Sequence, residues 1–251
     1  MAATIPIQNS DLEFDNGTFD SAAFTAKTLA NRHSLASVID HSLVRPDATR
    51  QQVEKLCNEA AEYRFACVMV NPVWASTAVG LLAGTGIPVG VVIGFPFGAS
   101  LVSTLRQEAD SLLRLGASEL GMVLPIGQLK SGNHFAVERT IHGAVSVAHH
   151  HGAVLKVNLE TCLLTMQERL RASEIAIQAG ADFINTATGF ASGGATPEDV
   201  ALMRGVAGAR CGVKAAGRIR TVAQVRTLLE AGANRIGASA SVAIVRELGA
   251  E

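Results

Sequence analysis

The dipeptide Gly-Ala recurs along this chain, and five of its copies stand just before a short apolar run. These five begin at positions 116, 152, 180, 208 and 232, so the spacings are 36, 28, 28 and 24 residues. Gly86 lies 30 residues ahead of the first of these and precedes a similar run. Glycine adopts positive φ without a steric penalty and commonly follows the last turn of a helix. The repeat therefore predicts a chain of units, each made of a helix, a glycine and a strand.

Eight apolar runs are the candidate strands. They are continuous rather than alternating, which is typical of parallel strands covered by helices. The predicted strands are Ser37–Asp40, Ala66–Val70, Pro88–Ile93, Glu119–Val123, Val154–Leu159, Asp182–Ala187, Gly212–Ala216 and Arg235–Ala238. Apolar residues recur at helical spacing between them, as in Val53, Leu56, Cys57 and Ala60. Two segments are typical helix starts. Thr196-Pro197 places a capping residue before a proline, and Thr221 with Gln224 predicts a capping box.

Eight βα units in about 215 residues predict an α/β fold of the (β/α)8 TIM barrel type. We expect the barrel domain to span residues 36–251. Residues 1–35 are polar and poorly patterned, so we expect a short N-terminal extension packed on the outside of the barrel. A doubly wound open sheet is the rival architecture. Its dinucleotide-binding fingerprint fails here, because Val89 stands where the third glycine after Gly84 and Gly86 belongs.

Composition excludes several functional classes. The 251 residues include 21 Lys and Arg against 22 Asp and Glu, so the basic footprint of a nucleic-acid-binding protein is missing. Glycine and proline interrupt the longest mostly apolar stretch, and the first residues lack the pattern of a signal peptide, so we expect neither a membrane span nor secretion. The four cysteines form no C-x-x-C pair, which favours reduced thiols in a cytoplasmic protein.

The carboxyl ends of barrel strands are where the active sites of this fold lie. Lys156 and Lys214 stand inside apolar strands, where an unpaired charge is costly, so each needs a partner or a function. For Lys214 we favour binding of an anion or formation of an imine. Lys156, Asn158 and Glu160 alternate along one strand, so for Lys156 an ion pair with Glu160 and a catalytic role are equally open. Asp40 and His41 are neighbours in a strand and face opposite ways, so only one of them can reach the site.

The glycine-rich segments after strands seven and eight predict a phosphate site. Gly217 allows backbone N–H groups to approach an anion, and the helix beginning near Ser239 directs its N-terminus there. The competing interpretation is that such loops need glycines in any case. The three consecutive residues His149 to His151 splay around a helix, so we predict no metal site, and no cofactor is expected.

The motifs resemble those of the deoxyribose-phosphate aldolase family. They are Asp40 to Leu43, Ala66 to Pro72, Val92 to Gly98, Leu155 to Thr165, Thr188 to Thr196, Gly212 to Gly217 and Arg235 to Ser239. The resemblance covers roughly residues 36–246, in order and with the family's spacing. It implies a class I aldolase on a (β/α)8 barrel, which forms an imine between a lysine and an aldehyde or sugar phosphate without a metal.

The resemblance also implies that two catalytic groups have been replaced. The family's imine-forming lysine corresponds to Asn185, and an amide cannot form an imine. The family's acid/base aspartate corresponds to Gly121. Lys214 matches the second lysine of the family, whose charge lowers the pKa of the imine-forming amine, and Lys156 also matches a site lysine. Gly217-Arg218 replaces a Gly-Gly pair, so Arg218 either contacts the phosphate or fills its space.

Three hypotheses follow, and the residues leave all of them open. The first is a diverged carbon–carbon lyase with altered or weak chemistry, in which Lys214 or Lys156 is the nucleophile or cation and Asn185 binds an oxyanion or acts as an amide hydrogen-bonding group. The others are a non-catalytic sugar-phosphate-binding homologue and an engineered or inactivated aldolase. The predicted catalytic residues are Lys214, Lys156, Asn185 and Asp40; the predicted substrate- and phosphate-binding residues are Ser42, Asn71, Thr188, Gly189, Gly217, Arg218, Gly237 and Ser239. The expected partner is a small phosphorylated sugar or aldehyde, with a homodimer possible.

Overall fold

A closed barrel of eight parallel strands forms the centre of the molecule. The computed structural model describes residues 14–15 and 18–249. The barrel strands are β1 Ile39–Leu43, β2 Cys67–Val70, β3 Val89–Ile93, β4 Glu119–Val123, β5 Val154–Asn158, β6 Phe183–Asn185, β7 Gly212–Ala216 and β8 Arg235–Ala238. They pair in chain order, and β8 closes the barrel by pairing with β1. The predicted (β/α)8 TIM barrel is confirmed.

Helices surround the barrel and connect its strands. They are α1 Ser21–Thr28, α2 Arg32–Ala36, α3 Arg50–Tyr63, α4 Ala75–Leu81, α5 Val102–Arg114, α6 Ile126–Lys130, α7 His134–His150, α8 Met166–Gln178, α9 Pro197–Ala207, α10 Val222–Glu230 and α11 Ser241–Leu248. Short 3-10 turns at Pro72–Trp74 and Thr161–Leu163 follow β2 and β5. None of the helices in the described part of the chain is both long and apolar enough to cross a membrane.

The repeated glycines lie where the chain turns from a helix into the next strand. Gly86, Gly116, Gly152, Gly180, Gly208 and Gly232 all have positive φ. All six are followed by a strand within five residues, and Gly180, with φ 93°, leads through Ala181 and Asp182 into β6. The backbone conformation therefore explains why the repeat is made of glycine.

The core lies between the barrel and its helices. The predicted stripe of α3, Val53, Leu56, Cys57 and Ala60, is buried. The helices α1 and α2 pack outside the barrel against α10 and α11. The Arg204 guanidinium of α9 lies 4.3 Å from the centre of the Phe19 ring, which adds a contact to the residues before α1. The boundary between an extension and the barrel at residue 36 stays a prediction, and most of residues 1–17 lie outside the described residues.

Five of the eight strands differ from their predicted bounds: β2, β3 and β5 by one residue at one end, and β1 and β6 by more. The first strand is Ile39–Leu43 rather than Ser37–Asp40, because its polar residues find partners inside the fold. Asp40 is ion-paired inside the barrel, and His41 on the outer face binds Glu59 of α3. The sixth strand is only Phe183–Asn185. The next residue, Thr186, keeps its place through a hydrogen bond from its hydroxyl to the Ala216 carbonyl.

Candidate active site

A cavity of about 550 Å³ opens at the carboxyl ends of the strands. Its volume lies within the range of small-molecule sites. On the side of β2 to β4 the wall is apolar and includes Met69, Val92 and Phe95. Phe95 meets Phe190 of the loop after β6 edge to face, with 5.3 Å between ring centres.

The other wall is cationic. Arg45, Lys156, Lys214, Arg218 and Arg220 line the cavity, whereas none of the lining residues in the described chain is Asp or Glu. Arg45 pairs with Asp47 at 3.3 Å outside the cavity, but Arg218 and Arg220 have no ion-pair partner among the described residues. A cavity lined by one sign of charge attracts ligands of the opposite sign. The arrangement therefore favours a small anionic ligand with one apolar side.

A cluster of buried ions lies at the base of the cavity. The Nζ atoms of Lys156 and Lys214 each lie 2.5 Å from Oδ2 of Asp40. Lys156 also forms an ion pair with Glu119, and Arg235 contacts Asp40 at 3.3 Å and Glu119 at 3.9 Å. Three cations thus share two carboxylates, which leaves one positive charge in excess.

The two lysines differ in their titration. Burial alone would lower the pKa of Lys156, but the charges of Asp40 and Glu119 outweigh it and raise that pKa above its ordinary value. Burial also lowers the pKa of Lys214, where Asp40 opposes the effect and the charge of Lys156 adds to it, and here the net shift is downward. Burial would raise the pKa of Asp40, but Lys156, Lys214 and Arg235 hold it well below its usual range. Lys214 is therefore the amine more readily found neutral.

Asn185 stands between two polar neighbours on the cavity wall. It pairs in register with Asn158 of β5 and with Lys214 of β7. Its Nδ2 donates to Oδ1 of Asn158 and to the Ala187 carbonyl at 3.4 Å, while Oδ1 is buried and has no partner. An oxyanion would need the Nδ2 donor, and that group is already engaged. The predicted catalytic role of Asn185 stays a prediction.

Gly121 of β4 leaves space in the apolar wall. A Cβ atom placed there would lie 3.1 Å from Cε of Met69, 3.7 Å from Cγ1 of Val92 and 3.9 Å from Nδ2 of Asn158. The Met69 methyl is the end of a flexible side chain and can move by a few tenths of an ångström. A carboxylate at this position would therefore fit with little rearrangement.

The glycine-containing loops after β6 and β7 pack backbone against backbone. A Cβ at Gly194 would lie 2.5 Å from the Gly217 carbonyl oxygen, so this close approach requires glycine. Arg218, which follows Gly217, has φ 63°, a left-handed conformation that is costly for a residue with a side chain. Arg218 lines the cavity. The fold thus tolerates backbone strain at a residue of the candidate site.

Glu160 does not share the inward face of β5 with Lys156. The strand ends at Asn158, and Glu160 has φ 56°, which breaks the alternation. Its carboxylate instead accepts hydrogen bonds from the backbone N–H of Thr188, at 3.2 Å, and from the Thr188 hydroxyl. The expected ion pair between Lys156 and Glu160 is therefore wrong, and Glu160 holds the loop that carries Thr188.

The cavity brings together most of the predicted site residues. Ser42, Lys156, Asn185, Thr188, Gly189, Lys214, Gly217, Arg218, Gly237 and Ser239 line it. Asp40 lies beneath its base, fully buried. Asn71 does not line the wall, and its Nδ2 donates to the Arg45 carbonyl at 3.0 Å, which supports the loop that presents Arg45. The helix expected near Ser239 is α11, which begins at Ser241.

Sequence reasoning missed two members of the ion cluster, Glu119 and Arg235. Both stand inside apolar strand runs, so the rule that selected Lys156 and Lys214 would have selected them too. It also missed Arg45, Phe190 and Arg220, which lie in loops where charge and aromatic character are common and carry little signal.

The groups that could ligate a metal are occupied by other partners. Asp40, Cys67 and Glu119 place one ligand atom each within 4.8 Å of one another, but Lys156 and Arg235 neutralise both carboxylates. The histidines at the end of α7 bind separate carboxylates: His149 lies 3.1 Å from Asp182 and His151 2.8 Å from Asp110.

A (β/α)8 barrel with two buried lysines in an anion-attracting cavity at its carboxyl end has the architecture of a class I aldolase. A family model described as DeoC/LacD family aldolase matches residues 34–247. The chain is 49% identical over 213 residues to a deoxyribose-phosphate aldolase of Geobacillus sp., covering 85% of this chain and 95% of that protein. A deoxyribose-phosphate aldolase of Thermoanaerobacter sp. is 48% identical over 215 residues, with 85% and 96% coverage.

The fold agrees with a solved structure of a deoxyribose phosphate aldolase from Aeropyrum pernix, described as a unique tetramer. The TM-score is 0.85 at 33% identity, covering 92% of this chain and 97% of that one. The protein described here belongs to the DeoC/LacD aldolase family, a family of carbon–carbon lyases.

Proposed function

We propose that the protein catalyses aldol cleavage or condensation of a small phosphorylated sugar or aldehyde, with altered or weak chemistry, and that Lys214 forms the imine. The observation that carries the proposal is the position of Lys214, a buried amine in the cavity wall whose pKa burial lowers below its ordinary value. Lys156 lies beside two carboxylates that raise its pKa, so it supports the site as a fixed positive charge.

The reaction begins with attack of the neutral Lys214 amine on the carbonyl carbon. The new C–N bond gives a carbinolamine, and loss of its hydroxyl as water gives the imine. The protonated imine then accepts the electron pair of the carbon–carbon bond that breaks and becomes an enamine, while the hydroxyl on the departing carbon loses its proton to water and becomes an aldehyde. Protonation of the enamine carbon and hydrolysis of the resulting imine by water release the second product and restore the Lys214 amine. The cationic wall formed by Arg218 and Arg220, with the loop at Gly217, holds the phosphate.

Two replacements account for weak chemistry. Asn185 offers no nucleophile, and Gly121 offers no carboxylate to move a proton at the apolar wall. A positioned acid or base typically contributes about 10²- to 10⁴-fold to a rate. We therefore expect turnover far below that of a complete aldolase site.

Borohydride trapping tests the nucleophile. The protein is incubated with glyceraldehyde 3-phosphate and sodium borohydride, and the reduced adduct is mapped by mass spectrometry. We expect one adduct on Lys214, lost in Lys214→Arg and retained in Lys55→Arg, which changes an exposed lysine of α3. Labelling at Lys55 or Lys156 alone, or none at all, would exclude Lys214 as the imine former.

Restoring the two missing groups tests the rest of the cavity. The double variant Asn185→Lys, Gly121→Asp should raise cleavage of deoxyribose 5-phosphate by about 10²-fold or more, because a nucleophile and a proton carrier act together. The Met69 side chain can make room for the new carboxylate. Each single variant should gain much less. No gain in the double variant would mean that the cavity takes a different substrate.

A non-catalytic role as a sugar-phosphate-binding homologue is the second candidate. The five cationic side chains and the loop at Gly217 favour it, since neither needs a nucleophile to bind an anion. Tight binding of a sugar phosphate without any trapped adduct would support this role over catalysis.

We further propose a homodimer and a cytoplasmic location. The exposed side chains of Val73, Phe97, Leu101 and Phe135 are candidates for a subunit contact, being 73% to 79% exposed. The four cysteines are free thiols, three of them buried, which fits a reducing compartment. Light scattering after size-exclusion chromatography tests the homodimer, which a monomeric mass would exclude. Cell fractionation tests the cytoplasmic location.

A further inference from the structure

We propose that Oδ1 of Asn185 accepts a hydrogen bond from a hydroxyl group of the ligand, so that the cavity selects a reduced or cyclic sugar phosphate over its open-chain aldehyde. The inference deepens the proposed function, since it concerns the ligand of the same cavity. It assigns a binding role to the one position where an amide stands in place of the expected nucleophile.

The direction of the Asn185 amide follows from its neighbours. A backbone carbonyl can only accept, so the 2.7 Å contact of Asn158 with the Met122 carbonyl identifies the donating atom as Nδ2 of Asn158. Oδ1 of Asn158 then faces Asn185 and must receive a donor. Nδ2 of Asn185 is that donor, and the Ala187 carbonyl on its other side requires the same orientation.

The oxygen of the Asn185 amide is consequently left facing away from these groups. This oxygen is buried and has no hydrogen-bond partner. Asn185 as a whole lines the cavity and is 4% exposed. A buried acceptor without a donor is costly, and native structures provide it with a partner from protein, water or ligand.

Neighbouring side chains do not supply the donor. Nζ of Lys214 is bound to Asp40, the Thr186 hydroxyl donates to the Ala216 carbonyl, and Nδ2 of Asn158 donates to Met122. A ligand therefore satisfies this oxygen only with an O–H or N–H group. A carbonyl or carboxylate oxygen would place two acceptors together, whereas a sugar hydroxyl is both neutral and a donor.

The same preference fits the proposed chemistry. When the Lys214 amine adds to an aldehyde, the N–H proton is transferred and the carbonyl oxygen becomes the hydroxyl of the carbinolamine. That hydroxyl forms beside Asn185, because Asn185 of β6 and Lys214 of β7 pair in register on neighbouring strands. Asn185 therefore stabilises the adduct relative to the free aldehyde.

Calorimetry with three matched probes tests the inference on the unmodified protein. The probes are ribitol 5-phosphate and its analogues in which the terminal hydroxyl is replaced by hydrogen or by fluorine. None has a carbonyl, so none can form an imine, and the result is independent of the trapping experiment. We expect the hydroxyl probe to bind about tenfold tighter than the hydrogen probe, with the fluorine probe as weak as the hydrogen probe because fluorine cannot donate.

A variant pair identifies the residue. In Asn185→Leu the preference for the hydroxyl should fall to within about twofold, whereas Asn58→Leu, an exposed position of α3, should keep it. Should Asn185→Leu fail to fold, the three probes on the unmodified protein still decide. A fluorine probe as tight as the hydroxyl probe, or no hydroxyl preference because a water satisfies the oxygen, would overturn the inference. Absence of binding by all three would overturn it too, together with the phosphorylated ligand class, even if Lys214 is trapped.

Discussion

Single residues decide the chemistry of this site through the charges that surround them. Lys156 and Lys214 both touch Asp40, but only Lys156 also touches Glu119. The pKa of Lys156 rises because Asp40 and Glu119 together outweigh burial, whereas that of Lys214 falls because burial and the charge of Lys156 outweigh Asp40 alone. Glu119 on β4 thus contributes to the difference between a permanent cation and a candidate nucleophile.

Arg218 combines a functional side chain with a strained backbone. We expect Arg218→Gly to stabilise the fold by about 1 kcal/mol, because glycine removes the steric cost of the left-handed conformation. The same change should weaken binding of inorganic phosphate, since a guanidinium leaves the cavity. Urea denaturation and calorimetry measure the two effects.

Arg64 provides the matched control. It ends α3 in the same left-handed region, with φ 56°, and lies outside the cavity. Arg64→Gly should give a similar gain in stability with unchanged phosphate affinity. Equal effects of both variants on phosphate binding would argue against a contact from Arg218.

At the scale of elements, helix starts and strand partners hold the βα units in place. Thr49 with Gln52, and Thr165 with Glu168, form complete capping boxes at α3 and α8. The box expected at α10 is only half formed: Thr221 accepts from the Gln224 N–H, but the Gln224 side chain accepts from Arg220 instead. A 2.9 Å contact between Nε2 of His41 and Oε2 of Glu59 connects β1 to α3.

The contact between β1 and α3 predicts a pH dependence of stability. Burial lowers the pKa of His41 below its ordinary 6.5, although the bond to Glu59 opposes the shift. The unfolded chain therefore binds this proton more readily than the folded one, and stability falls as the pH drops below about 6.5. His41→Gln should remove this component from the pH profile of urea denaturation between pH 7.5 and 5.5. The exposed His33→Gln should not, and identical profiles for all three proteins would contradict the assignment.

Across the whole molecule, the ion cluster ties distant parts of the barrel together. Asp40, Glu119, Lys156, Lys214 and Arg235 come from β1, β4, β5, β7 and β8. Their charges are buried, so each depends on partners that only the closed barrel supplies. The cluster lies directly below the cavity and fixes the position of both lysines.

Removing one carboxylate of the cluster should therefore lower the free energy of unfolding more than a substitution at the surface does. We expect Glu119→Gln to destabilise the fold by about 3–5 kcal/mol, because Lys156 and Arg235 would then share Asp40 alone. The exposed Glu138→Gln on α7 should lie within about 0.5 kcal/mol of the unmodified protein. Urea denaturation at pH 7 measures both, and a loss below about 1 kcal/mol for Glu119→Gln would mean that water enters the cluster.

The sequence alone was sufficient for the barrel, because its signals are local. Glycine stands with positive φ before the strand at six of the units, and helical stripes and apolar strands repeat between them. The same reasoning placed Lys156, Asn185 and Lys214 at one end of the barrel. It could not assign partners. The Lys156 ion pair with Asp40 joins residues 116 positions apart, and the contacts of Glu160 with Thr188 and of Asn185 with Asn158 join residues 28 and 27 positions apart on, or just after, the neighbouring strands β5 and β6. Such contacts depend on three-dimensional distance and orientation, which only barrel closure decides.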